Sequence, residues 1–138
     1  MLHYLTRLTL IVFGFVAAIL AASLFLNALL IGSSEWAGGD ATFYYLTIPA
    51  FAAAIGYSVF VPAAIIIVYA ELTAWRDWLF YTIGGAAASV IIIVWKWRPQ
   101  TEDVSTFAAI LATGIIGGFV YWMISGRSAG LFDNARAS

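Results

Sequence analysis

Four long apolar segments, separated by short polar ones, dominate the sequence. The first covers residues 8–31 and contains no charged side chain. The others cover residues 41–70, 79–95 and 104–125. About 20 apolar residues suffice for a helix to cross the hydrocarbon core of a bilayer, so each segment predicts one transmembrane helix. The pattern therefore predicts an all-α polytopic membrane protein, a compact bundle of four transmembrane helices in one membrane domain of residues 1–138.

The polar segments are short, and this favours antiparallel neighbouring helices. Residues 32–40 form a glycine-rich turn, and residues 126–138 form a polar tail in which Gly126 suits a helix C-cap. In the second segment we expect Pro49 to open the membrane helix at its first turn, whereas Pro62 falls inside the helix. The first apolar segment resembles a signal peptide at its start, but it continues for too long, which favours an uncleaved anchor.

Composition supports a membrane location and excludes several classes of function. The chain of 138 residues is 64% hydrophobic and 9% charged, whereas soluble domains carry about 25% charged residues. Its net charge of −1 leaves no basic surface for nucleic acid. The sequence contains no cysteine, and its one histidine is His3, which argues against thiol chemistry and a histidine-ligated haem. We therefore expect no cofactor, no metal and no nucleic-acid partner.

The distribution of basic residues predicts the orientation of the chain. The face that carries both predicted termini has four arginines, whereas the opposite face has only Lys96 and Arg98. Because cytoplasmic flanks are enriched in lysine and arginine, we expect both termini in the cytoplasm. The four arginines are Arg7, Arg76, Arg127 and Arg136.

Small residues recur at helical spacing in all four apolar segments. In lipid, helices associate through close approach of their backbones, so such stripes indicate where helices pack. The stripe in the fourth segment covers more of the helix circumference than one neighbour needs, which makes it the best candidate for a surface that faces another chain. The residues expected at the helix-packing or partner interface are Gly84, Gly85, Ala109, Thr113, Gly114, Gly117 and Gly118.

Polar side chains are sparse within the apolar segments. We expect no ionisable group inside the four spans, which counts against proton relays and ion-coupled carriers. Residue sets for nucleophilic, acid–base or metal catalysis are missing, so the chain is not expected to be an enzyme. Glu71 is expected at headgroup depth near Arg76, with a gating or binding role as the alternative. Asn27 is expected to form an interhelical hydrogen bond, and Ser58 is a further candidate for a polar or gating site.

Two stretches of the chain carry a resemblance to known proteins. They are YAELTAWRDWLFYTIGG at residues 69–85 and GFVYWMISGRSAG at residues 118–130. Both are similar to stretches of uncharacterised small four-helix inner-membrane proteins of proteobacteria. The resemblance implies a location in the bacterial inner membrane and implies no particular activity.

Three functions are compatible with these features. The leading hypothesis is a non-catalytic accessory or assembly subunit that packs against a larger membrane complex. One alternative is a small homo-oligomeric channel or uncoupled transporter, whose pore would be lined by polar side chains. Another is a protein that binds a lipid or quinone between its helices. The expected partners are the lipid bilayer and another membrane subunit or further copies of the chain. The pore-lining candidates are Asn27, Ser58, Ser89 and Thr113.

Overall fold

The computed structural model describes residues 2–32, 41–96 and 104–129, and within them it contains four α-helices. Each of these helices is long and apolar enough to cross a membrane, so the chain is an all-α, multi-pass membrane protein, as the apolar pattern predicts. Most of the predicted turn at 32–40 and of the tail at 126–138 lies outside the described residues. The elements are α1 (Leu2–Gly32), α2 (Ala41–Thr73), α3 (Trp78–Lys96), α4 (Val104–Ile124) and a 3-10 helix (Gly126–Ser128).

The four helices form a square bundle in which α1 to α4 contact one another in chain order and α4 closes on α1. The most extensive contact is between α3 and α4, followed by that between α1 and α4, whereas α2 makes the fewest contacts with its neighbours. The helices alternate in direction. The start of α1, the end of α2, the start of α3 and the end of α4 therefore lie together, at what we call the terminal end of the bundle.

The contact between α3 and α4 is close because glycines leave no side chain between the two backbones. A Cβ atom on Gly85 would overlap the carbonyl group of Gly114, and one on Gly118 would overlap the carbonyl group of Tyr81. A Cβ atom on Gly117 would instead lie 3.7 Å from the nearest atoms of α1. The glycine surface of α4, expected to face another chain, is therefore covered by α3 and α1 of the same chain at these positions.

The second helix differs from the sequence expectation at its start. It is continuous from Ala41, so Pro49 lies two turns inside it and does not open it. Pro49 and Pro62 each leave one carbonyl group without its usual helical donor. Proline is tolerated inside membrane helices because neighbouring groups and local adjustments of the backbone satisfy such carbonyls. The preference of proline for the first turn therefore does not locate the start of this helix.

The end of α2 and the end of α4 differ in their backbone geometry. Ala74 adopts a left-handed conformation with φ of 51°, and the N–H of Trp75 donates to the carbonyl of Ala70 over 3.1 Å, which closes α2 in a Schellman motif. At the end of α4 the expected glycine C-cap is wrong, because Gly126 begins the 3-10 helix. A Cβ atom on Gly126 would lie 2.8 Å from the ring of Tyr81, so packing explains a glycine at this position.

The neighbouring glycines Gly117 and Gly118 test the assignment of the two faces of α4. Gly118→Ala is expected to lower the free energy of unfolding by about 1–3 kcal/mol, because its Cβ would overlap the backbone of α3. Gly117→Ala is expected to change it little, since its Cβ fits at ordinary contact distance and alanine favours a helix. Unfolding in mixed micelles, titrated with an ionic detergent, measures both. Equal losses would contradict the assigned faces.

Candidate functional site

A buried ion pair between Arg7 of α1 and Glu71 of α2 lies at the terminal end of the bundle. The guanidinium Nε and Nη2 atoms bond to the two carboxylate oxygens, with Nε 3.3 Å from Oε2. The two side chains are 6% and 4% exposed. Nη1 donates to the hydroxyl of Ser128 over 2.5 Å, and Nη2 also donates to the carbonyl of Ser125 over 3.3 Å. The bidentate pair therefore joins α1, α2 and the end of α4.

Both charged residues lie inside the segments that are long and apolar enough to span a membrane. These candidate spans extend beyond the predicted segments 8–31 and 41–70, which contain no charged side chain, and therefore include both charged residues. In the sequence, Arg7 is evidence for the orientation of the chain, and Glu71 marks the end of the second span. In the structure, the two charges neutralise each other inside the bundle. The signal that could have revealed the pair is that the two opposite charges lie at the same end of adjacent antiparallel helices.

Arg76 fixes the connection between α2 and α3 to the end of α4. Its Nε atom donates to the carbonyl of Ala129 over 2.8 Å, and its own carbonyl accepts the indole N–H of Trp122 over 2.9 Å. Within the same end of the bundle, the hydroxyl of Tyr81 donates to the carbonyl of Trp75 over 3.1 Å. These polar contacts and the pair between Glu71 and Arg7 thus connect the ends of all four helices at the terminal end of the bundle.

A second, smaller polar contact joins α1 and α2 toward the opposite end. The hydroxyl of Ser23 donates to the carbonyl of Ile48 over 2.7 Å, and the hydroxyl of Thr47 donates to the side-chain oxygen of Asn27 over 3.1 Å. The amide nitrogen of Asn27 donates back to the carbonyl of Ser23 over 2.9 Å. Asn27 is therefore placed between two helices, and α2 is attached to α1 near both of its ends.

Between these two polar layers, a partly open cavity of about 300 Å³ lies among the helices. All four helices line it, mostly with aliphatic side chains and glycines. The lining runs from Ala54 to Ile67 on α2 and from Ile110 to Tyr121 on α4. At 1.5 Å of rise per residue this corresponds to a length of about 16–20 Å. The cavity therefore extends along the bundle axis over more than half of a hydrocarbon core of about 30 Å.

The residues expected to line a pore are not brought together as one polar set. Ser58, Ser89 and Thr113 line the cavity, but Asn27 belongs to the contact between α1 and α2. The hydroxyl of Thr113 donates to the carbonyl of Ala109 over 2.7 Å and is thereby engaged within its own helix. The walls are mostly apolar, and a water molecule in a cavity needs two to four polar partners. The arrangement therefore does not offer a hydrated path for an ion.

The predicted packing glycines also border the cavity. Gly84 faces α2, where its Cβ would lie 3.0 Å from a methyl group of Ile66. Gly85, Gly114 and Gly118 lie on the wall formed by α3 and α4. Small residues at these positions serve two purposes, because they bring backbones together on one side and leave space on the other. The stripes therefore mark the cavity wall as well as the helix contacts.

Two hydroxyl groups that the sequence analysis did not single out lie at the terminal end of the bundle, where Tyr121 lines the cavity and Ser125 follows it. Tyr121 lines the cavity together with Tyr81 and is 5% exposed. Its hydroxyl and that of Ser125, one helical turn further on, are buried, and among the described residues they have no hydrogen-bond partner other than each other. Buried polar atoms are nearly always paired, so these two hydroxyls are candidate contacts for a ligand. In the sequence Tyr121 is one aromatic among many and gives no such signal.

Comparison with known proteins does not assign a function. No protein family, curated protein or solved structure matches this chain. Among the described residues, no group of three His, Cys, Asp or Glu side chains could hold a metal ion. The cavity and the polar layers that enclose it are therefore the features from which a function can be inferred.

The ion pair can be tested by removing one charge and then both. Arg7→Met is expected to lower the free energy of unfolding by about 3–5 kcal/mol, because Glu71 would remain buried without a countercharge. Adding Glu71→Met is expected to recover most of this loss, since apolar side chains of similar volume replace a buried pair at little net cost. Unfolding in mixed micelles measures both. A double variant as unstable as Arg7→Met would assign the loss to the hydrogen bonds with Ser125 and Ser128.

Proposed function

We propose that this protein is a non-catalytic membrane protein that binds the apolar chain of a lipophilic molecule inside its helix bundle. The observation that carries this proposal is the cavity of about 300 Å³ between the four helices. Its volume lies at the lower end of the range for small-molecule pockets, which are typically apolar and carry a few placed polar groups. Ser58, Ser89 and Thr113 supply such groups along the walls.

The surroundings of the cavity favour a hydrocarbon chain as its occupant. Side chains around an apolar void lose dispersion contacts that a filled interior would supply. Water gains little there, because it needs two to four polar partners. A lipid chain, in contrast, is present at high concentration on the other side of α2, the helix with the fewest contacts to its neighbours. An apolar chain is therefore the occupant that best fits the composition of the walls.

The geometry favours this function over the other two hypotheses. A channel would need polar groups that replace the hydration of its solute, whereas the cavity walls are mostly apolar. An accessory subunit would need a contact surface for its partner, and the α4 glycines that suggested one contact α1 and α3. Docking to a larger complex remains a prediction of the sequence without a surface assigned to it.

We further propose that the protein resides in the bacterial inner membrane with both termini in the cytoplasm. The ratio of four basic residues to two on the opposite face supports this orientation. Reporter fusions after Gly38 and at Ser138 test it. The first fusion is expected to show extracytoplasmic activity and the second cytoplasmic activity. Extracytoplasmic activity at Ser138 would reverse the orientation.

Chain binding can be tested with a twelve-carbon hydrocarbon that carries a photoreactive diazirine, added to the protein in nanodiscs. Buried cavity residues are the informative targets, because Thr113 and Tyr121 are 7% and 5% exposed and lipids around the bundle do not reach them. We expect both to be labelled. Ala63→Phe, which places a ring in the cavity, is expected to abolish this labelling and to raise the thermal stability of the empty protein.

The matched control is Ala53→Phe on the same helix, at an exposed position outside the cavity lining. This variant is expected to leave labelling of Thr113 and Tyr121 unchanged. Equal labelling in the Ala63→Phe and Ala53→Phe variants would mean that the probe does not occupy the cavity, and the proposed function would be wrong.

A further inference from the structure

We infer that the cavity selects a neutral lipophilic molecule with one apolar chain, whose oxygen atom forms a hydrogen bond with Tyr121 at the terminal end. This inference rests on the proposed function and adds the chemistry of the ligand headgroup. Quinone carbonyls, ester carbonyls and alcohol hydroxyls share this chemistry. The chain would extend from Tyr121 along the cavity toward the opposite end of the bundle.

The position of the Tyr121 hydroxyl is fixed by packing on two sides. Its ring contacts the ring of Tyr81, with the centroids 5.5 Å apart. On α1, a Cβ atom at Gly14 would lie 3.5 Å from the Tyr121 ring and 2.9 Å from the Cβ atom of Ser125. Glycine at this position therefore allows α1 to hold Tyr121 against the bundle interior. The hydroxyl is buried as well.

The hydrogen-bonding capacity at this end exceeds what the described residues use. Tyr121 and Ser125 each carry one hydroxyl donor, and among the described residues the only partner of either hydroxyl is the other one. Ser125 follows α4 directly, one turn beyond Tyr121, so one of the two hydroxyls can donate to the other. One donor would still be left over. A ligand oxygen that accepts this hydrogen bond would satisfy it, at a point where an unpaired donor costs free energy.

Charge at this end argues for a neutral ligand. The buried ionised groups there among the described residues are Arg7 and Glu71, whose charges cancel, whereas Arg76, Asp77 and Arg127 at the same end are exposed. The guanidinium donors already bond to the carboxylate, to the hydroxyl of Ser128 and to the carbonyl of Ser125. A ligand carboxylate, phosphate or ammonium would therefore be buried without a countercharge of its own, which is strongly unfavourable.

The dimensions of the cavity argue for one chain. A volume of about 300 Å³ distributed over about 16–20 Å of helix leaves the width of a single hydrocarbon chain. A lipid with two acyl chains would have to leave one of them outside the bundle. The headgroup at Tyr121 and the length of the cavity together define a single-chain amphiphile with an uncharged oxygen.

Competition with the photoreactive hydrocarbon tests the headgroup. The competitors are dodecane, dodecanol, dodecanoate and a benzoquinone with a decyl chain, compared at equal mole fraction in the bilayer. We expect dodecanol and the quinone to displace the label from Thr113 at about fivefold lower mole fraction than dodecane, the gain of about one neutral hydrogen bond. Dodecanoate, assayed at alkaline pH so that its carboxyl group is ionised in the bilayer, is expected to compete no better than dodecane.

Tyr121→Phe keeps the ring and removes the hydroxyl, so it is expected to erase the fivefold preference and to leave displacement by dodecane unchanged. Tyr45→Phe, at a position that is 79% exposed, is the matched control and is expected to keep the preference. If Tyr121→Phe does not fold, the headgroup assignment is tested with the Ser125→Ala variant and with the ranking of the competitors on the unaltered protein.

The outcomes separate this inference from the proposed function. Equal displacement by dodecane and dodecanol, a preference that survives in Tyr121→Phe, or stronger competition by dodecanoate would overturn the headgroup assignment. In each case labelling that is sensitive to Ala63→Phe but not to Ala53→Phe would still support chain binding. Loss of that difference would overturn the proposed function and the headgroup assignment with it.

Discussion

Direct contact between the backbones of α3 and α4 constrains the other contacts of the bundle. Lipid tails are as apolar as leucine, so membrane helices gain association energy from close van der Waals approach rather than from burial of apolar surface. Gly85, Gly114 and Gly118 permit this approach because each would otherwise place a Cβ atom in the opposite backbone. The adjacent face of α4 contacts α1. Gly117 lies on the α4 side of this contact and Gly14 on the α1 side. Three helices therefore form a closely packed unit, and α2 completes the bundle as its fourth wall.

The attachment of α2 depends on polar contacts rather than on glycine contacts alone. Near one end, Glu71 pairs with Arg7, and near the other, Thr47 and the carbonyl of Ile48 bond to α1. Such contacts have fixed geometry, and in a medium without water an unpaired partner is costly. They hold α2 at a defined distance from α4. The middle of α2 carries small and aliphatic residues. The spacing that results is the origin of the cavity.

The cavity and the polar layer at its terminal end together define the proposed ligand. In the proposed complex, an apolar chain gains contacts along the walls, and its oxygen meets the buried hydroxyl of Tyr121, whose one partner among the described residues is the hydroxyl of Ser125. The ion pair beyond it contributes structure without net charge. In the proposed function, the size and length of the cavity and one hydrogen bond select among lipophilic molecules.

Hydropathy alone determined the four spans, because crossing a bilayer depends on each segment and its solvent. The predicted spans 79–95 and 104–125 differ from α3 and α4 by one residue at most at either end. Local rules failed at Pro49 and Gly126, where neighbouring helices decide what a residue does. The sequence also located the glycine stripes, but which helix each stripe meets is a property of the bundle. The Arg7–Glu71 pair, the cavity and the placement of Tyr121 were decided only by the tertiary structure, since each depends on which faces of distant segments are brought together.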